Sequence, residues 1–195
     1  MKKILSILSI LALTTFGAKA ESFYVGIDYL HNSIDTGVTN ISSNLDEDDT
    51  GFSLYAGGEV NQNLDIEVSY NDFGEASLSG VSGNQFSIDG TTYQFNATAT
   101  LTSSATSYGI AAKPKLNVND NVQLYGKIGL HRWDSEFAVS STTATASLND
   151  SGTDIFYGAG IAVGFNNLTG RVGYSIYDLD GEDVTSINAG LSYKF

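Results

Sequence analysis

Cysteine is missing from all 195 residues, and proline occurs once, at Pro114. The first absence excludes a disulfide framework and cysteine-based zinc sites. The second, set against 21 glycines, excludes collagen-like and proline-rich disordered polymers. Positive charge is also scarce, with nine Lys and Arg facing 22 Asp and Glu, a net charge of −13 and a pI near 4.2. Such a chain repels phosphates, which argues against nucleic acid as a partner. A membrane-spanning helix needs roughly 20 apolar residues, and no run of that length is present.

The longest apolar stretch, residues 4–16, follows a basic Met1-Lys2-Lys3 and precedes Ala18-Lys19-Ala20. This is the three-part layout of a secretory signal with an A-x-A cleavage site. The expected division is therefore a cleavable signal peptide over residues 1–20 and one exported domain over 21–195. Lys2, Lys3 and Lys19 leave with the leader, so six basic residues remain against 22 acidic ones and the mature charge becomes −16.

Period-two alternation then recurs along the chain, the pattern of strands with two unlike faces. Residues 22–30 set Phe23, Val25, Ile27 and Tyr29 against Tyr24, Gly26 and Asp28. Residues 51–60 set Phe52, Leu54, Ala56 and Val60 against Ser53, Tyr55, Gly57 and Glu59. The third run opposes Leu64, Ile66, Val68 and Tyr70 to Asp65, Glu67, Ser69 and Asn71. Weaker or equal alternation marks 105–113, 122–132, 155–165 and 168–177. A last run ends the chain, where Ile187, Ala189, Leu191, Tyr193 and Phe195 alternate with polar or small residues.

Short connections (61–63, 117–121 and 166–167) alternate with long ones (32–50, 74–104 and 133–154). That is the outer-membrane arrangement of short periplasmic turns and longer extracellular loops. Within the longest loop, residues 86–93 read as a hairpin around Asp89-Gly90. It is either an extension above the membrane or an extra spanning pair; the short, polar-interrupted alternation favours the extension.

The face opposite the apolar one holds Gly26, Gly57, Gly109, Gly129, Gly158, Gly160, Gly164, Gly173 and Gly190 with Asp28, Glu67, Lys127 and Arg171. Small and charged side chains suit a narrow filled lumen, not the apolar interior of a soluble ligand-binding barrel. Aromatics on the apolar face fall at both strand ends, Phe23, Phe165 and Phe195 at one and Tyr29, Phe52, Tyr70, Tyr157 and Tyr174 at the other. Two such girdles mark two lipid interfaces. The expected fold is thus all-β, an eight-stranded antiparallel transmembrane β-barrel, localised in the bacterial outer membrane. In so narrow a lumen, Asp28, Glu67, Lys127 and Arg171 are expected to form an ion-pair network, because unpaired buried charge is costly.

The segments Asn63-Leu64-Asp65-Ile66-Glu67-Val68-Ser69-Tyr70-Asn71-Asp72-Phe73-Gly74 and Leu124-Tyr125-Gly126-Lys127-Ile128-Gly129-Leu130, with residues 188–195, resemble the OmpA-like outer-membrane β-barrel family. The similarity extends over the whole mature chain. It implies that the terminal strand, with Tyr193 and Phe195, is the assembly signal read by the barrel-assembly machinery, and that the lumen network blocks ion flow. Family members serve as envelope scaffolds, adhesins, surface-protection proteins and narrow pores. The separate peptidoglycan-binding domain of larger members is not expected here, nor is a cell-wall tether.

Sites of chemistry are few. His31-Asn32-Ser33 has an H-x-S spacing resembling part of the lipid A deacylase site, with Asp28 or Asp35 to orient the base; it lies after the first strand, whereas that family carries it near the sixth. A polar strand end is the plainer reading. Trp133, beside His131, reads as an interfacial or loop-packing residue. Asp46-Glu47-Asp48-Asp49 reads as a solvated loop with some capacity for calcium or magnesium on a surface of divalent-bridged lipid. Residues 178–183 read as a turn. No enzyme site, cofactor or dedicated metal site is expected. The expected function is a structural or surface-interaction barrel among outer-membrane lipid and lipopolysaccharide, with surface ligands or divalent cations at its loops. The alternatives are a narrow porin and, further off, a lipid A-modifying enzyme.

Overall fold

The computed structural model describes residues 22–39, 42, 44–88, 90–141 and 144–195; the leader and its cleavage point lie outside them. Eight long strands form the barrel: β1 (Phe23–Ile34), β2 (Asp48–Asn61), β3 (Leu64–Gly80), β4 (Ala99–Asn117), β5 (Val122–Ser141), β6 (Thr145–Phe165), β7 (Leu168–Leu179) and β8 (Glu182–Lys194). Each pairs antiparallel with its neighbours in sequence, and β1 pairs with β8 from Tyr24–Lys194 to Ile34–Val184. Closure leaves no open edge, so every spanning backbone group can be satisfied inside lipid.

Turn chemistry sets the ends. Asn166 and Asp180 both take positive φ (54° and 57°), and Asp180 is followed by Gly181 at 93°. With Leu179 registered on Glu182, Asp180-Gly181 is the two-residue loop whose twist matches a hairpin.

Of the third long loop expected at 133–154, residues 133–141 and 145–154 are instead sheet. Strands β5 and β6 are 20 and 21 residues long and pair continuously from Val122–Val163 to Ser140–Thr145. A tilted strand needs only roughly 9–11 residues to cross the hydrocarbon, so about half of this hairpin stands above the membrane. Its Ser, Thr and Ala content hid the strand: without strong apolar alternation, pairing to a neighbour is what holds it extended. Strands β3 and β4 likewise run on past the lipid, to Gly80 and from Ala99.

The 86–93 hairpin is an extension, not a spanning pair. Gln85–Ile88 and Thr91–Gln94 join Val38–Thr39 in a separate three-stranded sheet, and Phe86, Phe95 and Leu78 form a small core beneath it. A bulge permits this. Gly74 sits at φ 81° where the β3–β4 register slips between Asp72 and Glu75, and the Asp49 carboxylate accepts from the Glu75 N–H at 2.7 Å. The extra residue reverses the alternation, so Ala76 and Leu78 join the inward side.

Below the bulge the faces divide as the alternation implies. Ile27, Leu54, Ile110, Ile128, Leu130, Val163, Val172 and Leu191 are exposed on the outside, where lipid is their solvent. An upper aromatic band runs through Tyr29, Phe52, Tyr70 and Tyr108, with Phe52–Tyr70 and Tyr70–Tyr108 ring centroids 6.0 and 5.1 Å apart. At the short-turn end Phe195 meets Phe23 at 6.0 Å and Tyr193 at 5.1 Å.

Candidate functional site

Inside the lower barrel, charges converge. Arg171, on β7, places Nη2 2.6 Å from Asp28 Oδ2 and Nη1 2.8 Å from Glu67 Oε2. Its Nε donates to Asp28 Oδ1 at 2.9 Å, and its guanidinium lies 3.3 Å from the centre of the Tyr55 ring. Lys127 Nζ, from β5, sits 2.7 Å from Glu67 Oε1. Asp28, Glu67, Lys127 and Arg171 are all buried. Their positions follow from strand parity, since each is an inward residue of its strand, and eight strands make a lumen narrow enough for opposite walls to touch.

The structure adds residues that sequence reasoning did not select. Lys115 contacts Asp65 Oδ1 at 2.6 Å and Glu59 Oε1 at 2.8 Å. Lys113 lies 3.6 Å from Asp65 and 3.7 Å from Glu67. Tyr24 donates to Glu67 at 3.0 Å, and Lys194 approaches Glu59 at 3.3 Å from the periplasmic rim. Glu59 and Asp65 stand on the inward face by the same alternation that marks Glu67, so parity alone could have found them. The described lumen therefore balances Asp28, Glu59, Asp65 and Glu67 with Lys113, Lys115, Lys127 and Arg171.

Above this layer the lumen turns apolar. Phe73, Leu30, Phe156 and Tyr177 are almost wholly buried, with Ile34 and Val184 beside them. Phe156 stacks on Tyr177 at 5.0 Å, and Phe73 meets Tyr177 edge-on at 4.8 Å. His131 packs against both Phe156 and Tyr177, and its Nε2 is 2.8 Å from the Asp178 carbonyl oxygen. Between the two layers Asn32 donates to the Phe73 carbonyl at 2.8 Å and Asn71 to Ser107 at 3.0 Å.

The enzyme-like spacing puts His31 and Ser33 on one face of β1 and Asp28 on the other. His31 and Ser33 are exposed on the outer face, and only Asn32 between them points into the lumen. Trp133 is a packing residue inside the barrel wall: its ring covers Gly152 and its Nε1 donates to Asp154 at 2.7 Å. The acidic run diverges. Glu47 accepts from the Thr36 hydroxyl at 2.6 Å and Asp49 from the Glu75 backbone, whereas Asp46 and Asp48 are exposed. Among the described residues no three His, Asp or Glu side chains are grouped to hold a metal ion.

A closed eight-stranded barrel, apolar outside, charged within and banded by aromatics at both ends, defines an integral outer-membrane protein. The chain belongs to the outer membrane protein β-barrel domain family, which matches residues 4–195, and its place is the bacterial outer membrane. No curated protein sequence matches it. Among solved structures it is similar to Ail, the attachment invasion locus protein of Yersinia pestis, at 22% identity and a TM-score of 0.55, covering 89% of this chain and 98% of that one. It is also similar to the outer membrane protein OprG of Pseudomonas aeruginosa, at 11% identity and a TM-score of 0.60, covering 91% and 97%. A structure of Ail in complex with the heparin analogue sucrose octasulfate matches at 22% identity and 0.55, over 90% and 99%. At these identities the likeness is one of fold.

Proposed function

We propose that this protein is an envelope structural and surface-interaction barrel whose lumen does not conduct. The observation that carries the reading is the pair of stacked closures: the Arg171–Asp28–Glu67–Lys127 cross-links below and the Phe73–Phe156–Tyr177 plug above. A solute would have to break the first and displace the second. The outward aromatic bands suit a fixed seat among outer-membrane lipid and lipopolysaccharide. The terminal strand with Tyr193 and Phe195 suits recognition by the barrel-assembly machinery. Residues 1–20 act as the export signal. The lipid A-modifying reading is the weaker one, because Asp28, a carboxylate that could orient His31, is paired with Arg171 on the opposite, inner face.

The surface role lies in the extracellular extension. Ail has been seen with a sulfated heparin analogue, yet a polyanion suits this chain poorly. Of the six basic residues after residue 21, Lys113, Lys115, Lys127, Arg171 and Lys194 belong to the lumen or its periplasmic rim. Only Arg132 remains, exposed on the outer face midway along β5. Single-channel recording on the refolded barrel in a planar bilayer tests the closed lumen. The expected trace stays at baseline, and discrete steps reproduced across preparations would replace this reading with a narrow porin.

A further inference from the structure

The upper ends of β1, β3, β4, β5 and β8, with the small sheet, line a cavity at the extracellular mouth. Its main compartment, about 270 Å³, is walled by Ile34, Leu45, Leu78, Ile88, Leu101 and Phe137. A volume of about 150 Å³ lined by apolar side chains is enough to take up benzene, so this space accepts an aromatic ring with several further carbons. Phe137 is 45% exposed although it faces inward. Apolar surface is thus already in place at the opening, where Phe137 lines both compartments.

A second compartment of about 170 Å³ shares Ile34, Asp35, Ser103, Phe137 and Glu182 with the first. Its floor is Trp133, Ala105 and Val184, and its walls carry Asp35, Asp150, Asp180 and Asp183; neither compartment has a Lys or Arg in its lining. The charge balance of the whole molecule sharpens this. Most of the cations are consumed inside the lower lumen, and Arg132, exposed on the outer face of β5, is not among the lining residues of either compartment, so the mouth is lined by acidic charge, and clefts lined by one sign of charge concentrate ions of the other.

We propose that this two-part cavity is a binding site for a small amphiphilic organic cation, an amine or guanidine on an aromatic or short aliphatic body. The apolar body occupies the compartment between Leu78, Leu101 and Phe137. The cationic head lies over Trp133 among Asp35, Asp150 and Asp183. Carboxylates alone would attract any counter-ion, and an apolar cavity alone would accept any neutral ring. Their shared wall selects molecules that carry both features. The site deepens the surface-interaction reading and rests on it only for the outward-facing orientation; conductance tests the lumen separately, so the two can fail independently.

Trp133 is the only tryptophan of the chain, and it lines the acidic compartment, so its emission reports occupancy directly. The mature barrel in phosphatidylcholine nanodiscs is titrated with 4-phenylbutylamine, 4-phenylbutanol, 4-phenylbutyrate and spermidine, with calorimetry in parallel. Saturable binding of 4-phenylbutylamine is expected, at least tenfold tighter than any of the other three. Asp35→Asn with Asp183→Asn should weaken the amine at least tenfold and leave the alcohol unchanged. Ser103→Phe, which fills the shared wall, should weaken the amine with the carboxylates intact; heat-modifiability on gels verifies that each variant is folded. The proposal is overturned if the amine does not saturate, if the alcohol or spermidine binds as tightly, or if folded variants of both kinds bind the amine like the parent.

Discussion

Arg171 reaches Asp28 over the top of a glycine. The two residues are on β7 and β1, which are not neighbours; β8 lies between them, and Gly190 is registered with Asp28 on one side and with Arg171 on the other. A Cβ at position 190 would run into the Asp28 carboxylate and the Ile27 carbonyl oxygen. The missing side chain is therefore what lets a guanidinium cross a strand and grip both oxygens of a carboxylate through Nε and Nη2.

Gly190→Val should accordingly destabilise the barrel by displacing Asp28 from Arg171. Breaking a buried pair typically costs about 3 to 5 kcal/mol, and urea unfolding in lipid vesicles should show a loss approaching that range. A loss under about 1 kcal/mol would mean that the pair tolerates the side chain, and that the glycine serves only backbone packing.

The lumen charges should behave as one unit. Double-mutant cycles on Glu67 with Lys127 and on Glu67 with Arg171 should each give coupling above about 0.5 kcal/mol, the level at which independent sites cease to be additive. Glu67→Gln with Lys127→Met should recover part of the stability that Glu67→Ala loses. Coupling below that level in both cycles would indicate separately solvated charges and a hydrated pore.

Two closures in series predict that neither one alone governs conductance. Glu67→Ala by itself should weaken the fold yet leave the trace at baseline, because Phe73, Phe156 and Tyr177 still fill the lumen above. Combining it with Tyr177→Ala and Phe73→Ala should produce discrete openings. Silence in a folded triple variant would show that a further barrier exists.

Deleting Phe195 should impair assembly far more than replacing Asn44 at the extracellular side. The terminal residue is 71% exposed on the outer face and its N–H donates to the Phe23 carbonyl at 2.8 Å, so it completes both the lower aromatic band and the seam between the chain ends. The yield of heat-modifiable, protease-resistant barrel in membranes measures the effect, and equal yields from both variants would remove the assembly role.

Export should cleave the chain between Ala20 and Glu21. Intact mass of the membrane-extracted protein checks this, and a species retaining Lys2 and Lys3 would contradict it.

The residues of the lumen could be read from the sequence because a strand's pleat is a local property. Once Phe23, Val25 and Ile27 alternate with Tyr24, Gly26 and Asp28, the side of each residue follows from the period of two, and the same rule placed Glu67, Lys127 and Arg171 on one side of their strands. The strand number and the aromatic bands were legible for the same reason. What no single strand encodes is who meets whom. That Asp28, Gly190 and Arg171 stand in one row depends on the stagger accumulated around all eight strands at closure. That Leu78 faces inward depends on one extra residue at Gly74. Residues 133–141 and 145–154, poor in apolar alternation, are extended because β4, β5 and β6 hold one another, and the cavity beside Trp133 exists only where those strands outrun the membrane. The sequence by itself determined the two faces and the contents of each; tertiary structure decided the register and the height, because those are sums over the whole barrel and have no local sign.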